Sequence, residues 1–303
     1  MKKSLFACTV ALILLFASSA FAMDYVLGAR AGFFFWSPYY KDMPEGTGFA
    51  EMRTGHGGLY GPIFVLNFTD TVALSVSGLF GQQTTQWHSW NGTGAKDDGT
   101  EFLYSRTAYV EANRYDVDSA LSYALMPGLR LFAGYKFQYM KVNWYSTERI
   151  YTPTSPETYK TFINDNEFEF KVPLHGVALG CGYSRSLTDL YFFSVSVSGI
   201  YTRGTLNSSQ YSAQYNDVGL VPPESGKPNP REETFKTNIH QYGFNIEPSI
   251  GIRTSGPIVT LGVRYQLLRT QFYELDSSGG DGPDDRWMND QLYGVFVAVM
   301  FTM

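Results

Sequence analysis

The feature that most constrains this chain is a two-residue alternation of apolar and polar side chains, clearest in RYDVDSALSYALMPGLRLFAGYK at positions 114–136. One set of alternate positions is almost entirely apolar: Tyr115, Val117, Ser119, Leu121, Tyr123, Leu125, Leu131, Ala133 and Tyr135. The other set is small, polar or charged, and it includes Arg114, Asp116, Asp118 and Lys136. A period of two is typical of strands with two unlike faces, and the turn residues Pro127 and Gly128 predict a hairpin.

The same alternation recurs along the chain. The apolar positions of ten such segments fall within residues 25–35, 60–68, 72–80, 115–125, 131–135, 177–183, 193–201, 242–252, 259–267 and 293–301. The positions between them are mostly small or polar, as in Ser194, Ser196 and Ser198. We find no segment with a helical period, so the pattern predicts an all-β chain of about ten antiparallel strands.

The N-terminus predicts export. Lys2 and Lys3 precede a short apolar run, and Ala20-Phe21-Ala22 matches a cleavage site, so residues 1–22 are predicted to be a signal peptide cleaved after Ala22. An uncleaved membrane anchor is the alternative. Loss of these 22 residues from 303 would leave 281, and loss of the two lysines would change the net charge from -5 to -7. An acidic chain argues against nucleic acid as a partner.

The connections between the ten segments fall into two classes. The short ones carry turn chemistry: Thr69-Asp70, Met126-Pro127-Gly128, Thr188-Asp189 and Ser255-Gly256. The long ones are rich in Gly, Pro, Asn, Asp and Ser, and we expect loops over about 37–57, 88–104, 147–168, 205–236 and 274–290. Short and long connections alternate strictly, which predicts a single transmembrane barrel at 23–303 with turns at one end and loops at the other.

Aromatic residues cluster near the predicted strand ends. The clusters are Phe33–Trp36, Tyr139 with Trp144 and Tyr145, and Tyr191–Phe193. Aromatic rings form girdles at the two membrane interfaces of barrels, and we interpret the clusters in this way. The alternative is the aromatic core of a soluble β-sandwich.

The last segment, QLYGVFVAVMFTM, is amphipathic, with Tyr293, Val295, Val297, Val299 and Phe301 on one face. It resembles the final strand of bacterial outer-membrane β-barrel proteins, although the chain ends in Thr302-Met303 instead of a terminal aromatic. The resemblance implies a place in the bacterial outer membrane, contact with its lipid and lipopolysaccharide, and insertion by the barrel-assembly machinery.

The length and strand number also resemble the omptin outer-membrane proteases, which carry an Asp pair and an Asp-His pair at the extracellular rim. Asp116-Val117-Asp118 lies deep in the predicted wall, and no Asp-x-His occurs in the chain. His240 and Glu247 are too far apart on one strand for the hydrogen bond that a lipid-modifying barrel would need. We therefore expect no catalytic residues, no metal site and no cofactor.

The turn positions predict which lumen side chains face one another. A turn centred on Pro127 places Asp118 opposite Lys136 and Asp116 opposite Gln138. A turn at Ser255-Gly256 places Glu247 opposite Arg264 and Asn245 opposite Gln266. Both ion pairs would lie roughly 23 Å above the turn end. The complete set of predicted lumen residues is Arg30, Arg114, Asp116, Asp118, Lys136, Gln138, Asn245, Glu247, Arg264 and Gln266.

Charges on the lipid face cost about 2–4 kcal/mol at the bilayer midplane, so this belt should point inward. Two functions remain open from the sequence. A charged lumen can form a narrow pore for small hydrophilic solutes. Opposed charges can also satisfy one another and close the lumen, which would leave a structural or adhesin-like barrel acting through its extracellular loops.

Overall fold

The computed structural model describes residues 24–39, 54–85, 88–95, 101–155, 158–216, 219–220, 230–276 and 287–303. The predicted signal peptide lies outside these residues, as do parts of the predicted long loops. The described strands are β1 Asp24–Ser37, β2 Gly55–Asn67, β3 Val72–Thr84, β4 His88–Ala95, β5 Glu101–Met126, β6 Leu129–Ser155, β7 Thr158–Ser186, β8 Tyr191–Asn216, β9 Gly219–Leu220, β10 Arg231–Arg253, β11 Pro257–Asp276 and β12 Met288–Thr302. No helix among the described residues is long and apolar enough to cross a membrane.

Ten of these strands form a closed antiparallel ring. The order runs β1-β2-β3-β5-β6-β7-β8-β10-β11-β12, and β12 pairs with β1 to close it. The short strands β4 and β9 add to β5 and β8. Closure satisfies the backbone hydrogen bonds of the first and last strands, which would otherwise be open edges. The predicted all-β barrel of ten strands is confirmed, and the four predicted tight turns lie together at one end, here called the turn end.

The turn at Pro127-Gly128 depends on its glycine. Gly128 has a φ of 82°, and a Cβ there would lie 2.3 Å from the carbonyl oxygen of Ser184. We expect Gly128→Ala to destabilise the barrel by about 1–3 kcal/mol, because both the backbone and the space favour glycine. Urea unfolding in lipid vesicles measures this. Gly256→Ala, in a turn where nothing lies within 4 Å of the added Cβ, is the matched control and should be nearly neutral.

Three predicted loops are wrong over most of their length. Residues 147–155 and 158–168 continue β6 and β7, and residues 205–216 and 231–236 continue β8 and β10. Much of the predicted loop 88–104 is likewise strand, in β4 and the start of β5. The turn-like composition of these segments misled the prediction, because a strand exposed to water can be polar as long as its backbone is paired with its neighbours.

The barrel wall is therefore uneven in height. β6 contains 27 residues and β1 contains 14, which correspond to about 70 Å and about 35 Å of height at a usual strand tilt. The strands β5 to β8 rise well beyond β1 to β3. This extra height forms an upper barrel at the end opposite the tight turns, here called the loop end.

The lower half of the barrel has an apolar outside and a polar inside. Leu121, Tyr123 and Leu131 are about half exposed on the outer face, whereas Arg114 and Lys136 are buried. The charged face is thus inside, as predicted. Exposed apolar side chains occur on most strands of this lower half and form an apolar band on its outside. Large exposed apolar surfaces mark contact with a partner or with lipid, and an outer apolar band is typical of membrane barrels.

This polarity inverts above the charged belt. On β6 the inward-facing side chains change from Lys136 and Gln138 to Met140, Val142 and Trp144, all of them buried. The outward side chains over the same stretch become polar. The alternation keeps its period across the boundary, but the apolar set moves from the outside to the inside. The upper barrel consequently has an apolar core of its own.

Four of the ten residues assigned to aromatic girdles face the interior of the barrel. Phe34, Trp36, Trp144 and Phe192 are buried inside the barrel, so their assignment as interfacial residues is wrong. Their neighbours in sequence point outward, as the alternation requires: Phe33, Phe35 and Tyr191 are exposed. A cluster of consecutive aromatics on a strand is split between the two faces, because successive side chains point in opposite directions.

Candidate functional site

The candidate site is the belt of charged and amide side chains that crosses the lumen. The predicted register is confirmed for Asp118 opposite Lys136, Asp116 opposite Gln138, and Asn245 opposite Gln266. The same register on either side of Pro248 places Glu247 opposite Arg264.

The ten predicted lumen residues all lie on the inner face of the barrel, in two levels. The lower level contains Arg30, Asp118, Lys136, Glu247 and Arg264. The upper level contains Arg114, Asp116, Gln138, Asn245 and Gln266. Most of the side chains are completely buried, whereas the Asp118 side chain is 38% exposed and those of Arg30 and Glu247 are slightly exposed.

Glu247 is the centre of the lower level. Its Oε2 accepts a hydrogen bond from Arg30 Nη1 at 3.1 Å, and its Oε1 accepts one from Asn245 Nδ2 at 3.1 Å. Arg264 Nε lies 3.4 Å from Oε1. Arg30 comes from β1 and Glu247 from β10, with two strands between them in the ring, so their contact reaches across the lumen. One carboxylate therefore binds two arginines: Arg264 on the neighbouring strand β11, and Arg30 on β1, three strands away in the ring.

Two further ion pairs occupy the other side of the belt. Lys136 Nζ donates to Asp118 Oδ1 at 2.7 Å, on neighbouring strands. Arg114 Nε donates to both carboxylate oxygens of Asp116 at 3.1 Å, within one strand. Charge-assisted hydrogen bonds of this kind offset the cost of removing the groups from water. Opposite charges thus balance one another across most of the belt.

Further buried polar groups that the sequence interpretation missed lie higher in the lumen. Asp290 accepts a hydrogen bond from Trp36 Nε1 at 3.1 Å, and Gln241 Nε2 donates to Thr270 Oγ1 at 2.9 Å. All of these side chains are buried. Asp290 is the last residue of the predicted loop 274–290, which is wrong at 288–290 because β12 begins at Met288, and Trp36 was assigned to a girdle. The sequence nevertheless carried a signal for Asp290. Tyr293 and Val295 point outward on β12, so Asp290, an odd number of residues away from each, must point inward.

Buried apolar side chains surround these polar groups and close the lumen above the charged belt. This apolar layer is built from side chains of every part of the ring: Phe34, Leu59, Leu79, Met140, Leu174, Ile239, Leu268 and Leu292. Large side chains such as Trp144 and Phe272 continue it upward. The sequence analysis missed a signal on β6. Met140, Val142 and Trp144 occupy the same alternate positions as Lys136 and Gln138, so they also face inward. Over the described residues, the upper lumen is a packed core and not a channel.

Below the belt the inner face combines small polar side chains with buried apolar ones. The inner-face side chains Ser75, Ser77, Ser194 and Ser249 are partly exposed, whereas Phe192, Phe296 and Ala298 are buried. Ser194 and Ser249 form a 2.7 Å hydrogen bond between β8 and β10. The lower lumen is therefore partly polar, and Asp118 and Glu247 at its upper end keep part of their side-chain surface exposed.

Other chemistry-bearing residues lie outside the lumen. His175 Nδ1 contacts the Tyr135 hydroxyl at 2.5 Å on the outer face, and His240 lies on the outer face with its ring against Trp287. Among the described residues, no group of three or more His, Cys, Asp or Glu side chains could hold a metal ion.

Comparisons with known proteins find architecture and not a family. No protein-family model matches the chain, and no curated protein matches it. Similar solved structures include the outer membrane protease OmpT from Escherichia coli, with 12% identity, a TM-score of 0.40, and coverage of 93% of this chain and 96% of that chain. They also include a Pseudomonas aeruginosa FadL homologue, with 9% identity, a TM-score of 0.27, and coverage of 92% and 89%. A third is LpxR from Salmonella typhimurium, with 9% identity, a TM-score of 0.26, and coverage of 92% and 99%.

Proposed function

We propose that this protein is an integral barrel of a bacterial outer membrane, exported by a signal peptide, with a lumen closed by its own side chains. Its function then resides in the upper barrel and loops that project from the cell surface. The observation that supports this is the sealed lumen: the buried belt around Arg114 and Lys136 lies under an apolar layer that spans the ring. A solute would have to displace both layers to pass.

The placement in the membrane rests on the exposed apolar band. The band extends from the tight turns to about the level of Tyr139, which is about 11 residues of β6 and agrees with the height of apolar band that outer-membrane barrels present to lipid. The tight turns would face the periplasm, and the upper barrel the medium. Insertion by the assembly machinery would use β12, whose Phe301 pairs with Leu27 at the ring closure.

A narrow pore is the second candidate. It is favoured by the partly polar lower lumen, where the Asp118 side chain is 38% exposed, and by the buried amides of Gln83 and Gln138, which have no hydrogen-bond partner among the described residues. Buried amides of this kind are where internal water enters proteins. A pore would require the apolar layer to move.

Conductance across a planar lipid bilayer separates the two candidates. We expect the refolded mature chain to show no discrete openings, because the apolar layer excludes hydrated ions. The folded state is checked independently by its heat-modifiable migration in gel electrophoresis. Discrete openings whose ion selectivity changes with Asp118→Asn or Glu247→Gln would overturn the closed barrel and establish the pore.

We also propose that the protein is not an enzyme. Asp116 and Asp118, the acidic pair that resembles part of a protease motif, form ion pairs with Arg114 and Lys136 inside the lumen. A carboxylate engaged in this way is a poor general base. Incubation of the folded barrel with peptide and lipid substrates tests this, and turnover that is lost in Asp116→Asn would overturn it.

A further inference from the structure

The outer face of the upper barrel carries a row of basic side chains just above the apolar band. Lys141 of β6 pairs with Lys171 of β7, Lys171 pairs with Asn207 of β8, and Asn207 pairs with Lys236 of β10. We call these four residues the basic row. All four point outward. Neighbouring strands are about 4.8 Å apart, so three ammonium groups lie within one short stretch of wall.

Like charges in directly opposed positions destabilise a sheet, so the pairing of Lys141 with Lys171 needs a reason. Glu169 offsets part of the positive charge, because its carboxylate accepts hydrogen bonds from both lysines. The distance from Lys141 Nζ to Glu169 Oε2 is 2.5 Å. These two hydrogen bonds hold the pKa of Glu169 below its usual value, so this carboxylate stays ionised at neutral pH. One carboxylate nevertheless serves two lysines, and Lys236 adds a third cation.

The basic row borders a surface pocket of about 450 Å³. The pocket is lined by Glu169, Lys171, Asn207, Ser208, Ser209, Thr234 and Lys236. It therefore has an ammonium group on each side and neutral amide and hydroxyl groups between them. These are the donors that bind the oxygens of a phosphate group.

The height of the pocket on the barrel wall indicates which part of the membrane it would contact. A second row lies four residues closer to the membrane, where His175 pairs with Arg203 and Arg203 with His240. This second row is level with Phe137, at the edge of the apolar band. Four residues of tilted strand correspond to about 10 Å, which places the basic row at the outer border of the lipid headgroups.

The acids of the outer wall are placed differently. Glu111 and Glu169 lie one step above the basic row, and Glu167 and Glu232 lie a further step above. Next to the apolar band the cations thus lie below the acids. The whole chain has a net charge of -5, so this cluster of cations does not simply follow from the overall composition.

We propose that the outer face of β6, β7, β8 and β10 binds the phosphate groups of a phosphorylated glycolipid of the outer leaflet. Lys171 and Lys236 hold the phosphate in the pocket, Lys141 and Arg203 add charge around it, and Asn207, Ser209 and Thr234 donate hydrogen bonds. The proposal rests on the proposed orientation in the outer membrane, with the upper barrel on the outside.

The test measures binding of the refolded full mature chain, in detergent micelles, to purified lipopolysaccharide and to the same lipopolysaccharide after enzymatic dephosphorylation. We expect the phosphorylated form to bind more tightly, with an affinity that falls as salt is added. The double variant Lys171→Gln, Lys236→Gln should bind about tenfold or more weakly. Lys171→Arg, Lys236→Arg keeps the charge and should retain binding, and Arg185→Gln, at the turn end of the same β7, should leave it unchanged.

A variant that changes affinity in the opposite direction guards against misfolding as an explanation. Glu169→Gln removes the one carboxylate that lines the pocket and should strengthen binding several-fold, which a damaged protein would not do. Equal affinity for the two lipopolysaccharide forms, or no effect of the lysine pair, overturns the proposal. Competition by free inorganic phosphate at the same concentration as the lipid overturns the lipid as the occupant.

Failure of this proposal can be distinguished from failure of the proposed function. A chain that inserts into lipid vesicles without conducting but does not prefer phosphorylated lipopolysaccharide refutes the glycolipid site alone. A chain that stays out of vesicles refutes the membrane placement, and with it the basis for both.

Discussion

Glu247→Gln should lower the free energy of unfolding by about 3 kcal/mol. The amide keeps the shape of the side chain but removes the charge that faces Arg30 and Arg264, and Arg264 is almost fully buried. An arginine buried without its counter-charge is costly, although Asp116 and Asp118 lie near enough to Arg264 to offset part of the loss. Reversible urea unfolding in lipid vesicles, followed by circular dichroism, provides the measurement.

Two comparisons make this result specific. Glu167→Gln, at an exposed position on the outer wall, should change stability by less than about 0.5 kcal/mol. The double change Glu247→Leu, Arg264→Met should cost less than Glu247→Gln alone, because it also removes the fully buried guanidinium of Arg264 and leaves only the partly exposed Arg30 without its counter-charge. A neutral single variant would show that the belt is hydrated and that its ion pairs do not stabilise the barrel.

Trp144→Ala should be the most damaging change in the upper barrel, at about 3–5 kcal/mol. Trp144 is buried, its ring lies 4.6 Å from that of Phe168, and the Arg106 guanidinium lies over it at 5.2 Å. Truncation leaves a large cavity in a core formed by facing walls, which are unable to collapse around it. Thermal unfolding followed by circular dichroism measures the loss.

The neighbouring Tyr145 is the matched control. It points outward and stacks on Tyr109 with ring centroids 5.0 Å apart. Tyr145→Ala should cost only about 1 kcal/mol, because the pair is solvated on one side. If both residues belonged to an interfacial girdle, the two substitutions would have similar effects. Equal losses would therefore show that the apolar core of the upper barrel is not formed.

The difference between these two residues marks where sequence reasoning failed. Trp144 and Tyr145 were assigned to one girdle because the membrane boundary was placed by aromatic clustering. The alternation itself separates them, since one of two consecutive strand residues must point inward. The apolar set changes faces above the charged belt, and a single assumption about the outer face cannot hold on both sides of that boundary.

The sequence by itself determined the strands of the lower barrel, the face on which each side chain lies, and the hairpin pairs such as Asp118 with Lys136. These features are local: a period of two assigns faces, and the position of a tight turn sets the register of the two strands that it joins. Only the tertiary structure decided the contacts between strands far apart in the chain. Trp36 meets Asp290 because the ring closes β12 onto β1, and Arg30 of β1 meets Glu247 of β10 because the lumen is narrow enough for side chains to reach past the two strands between them.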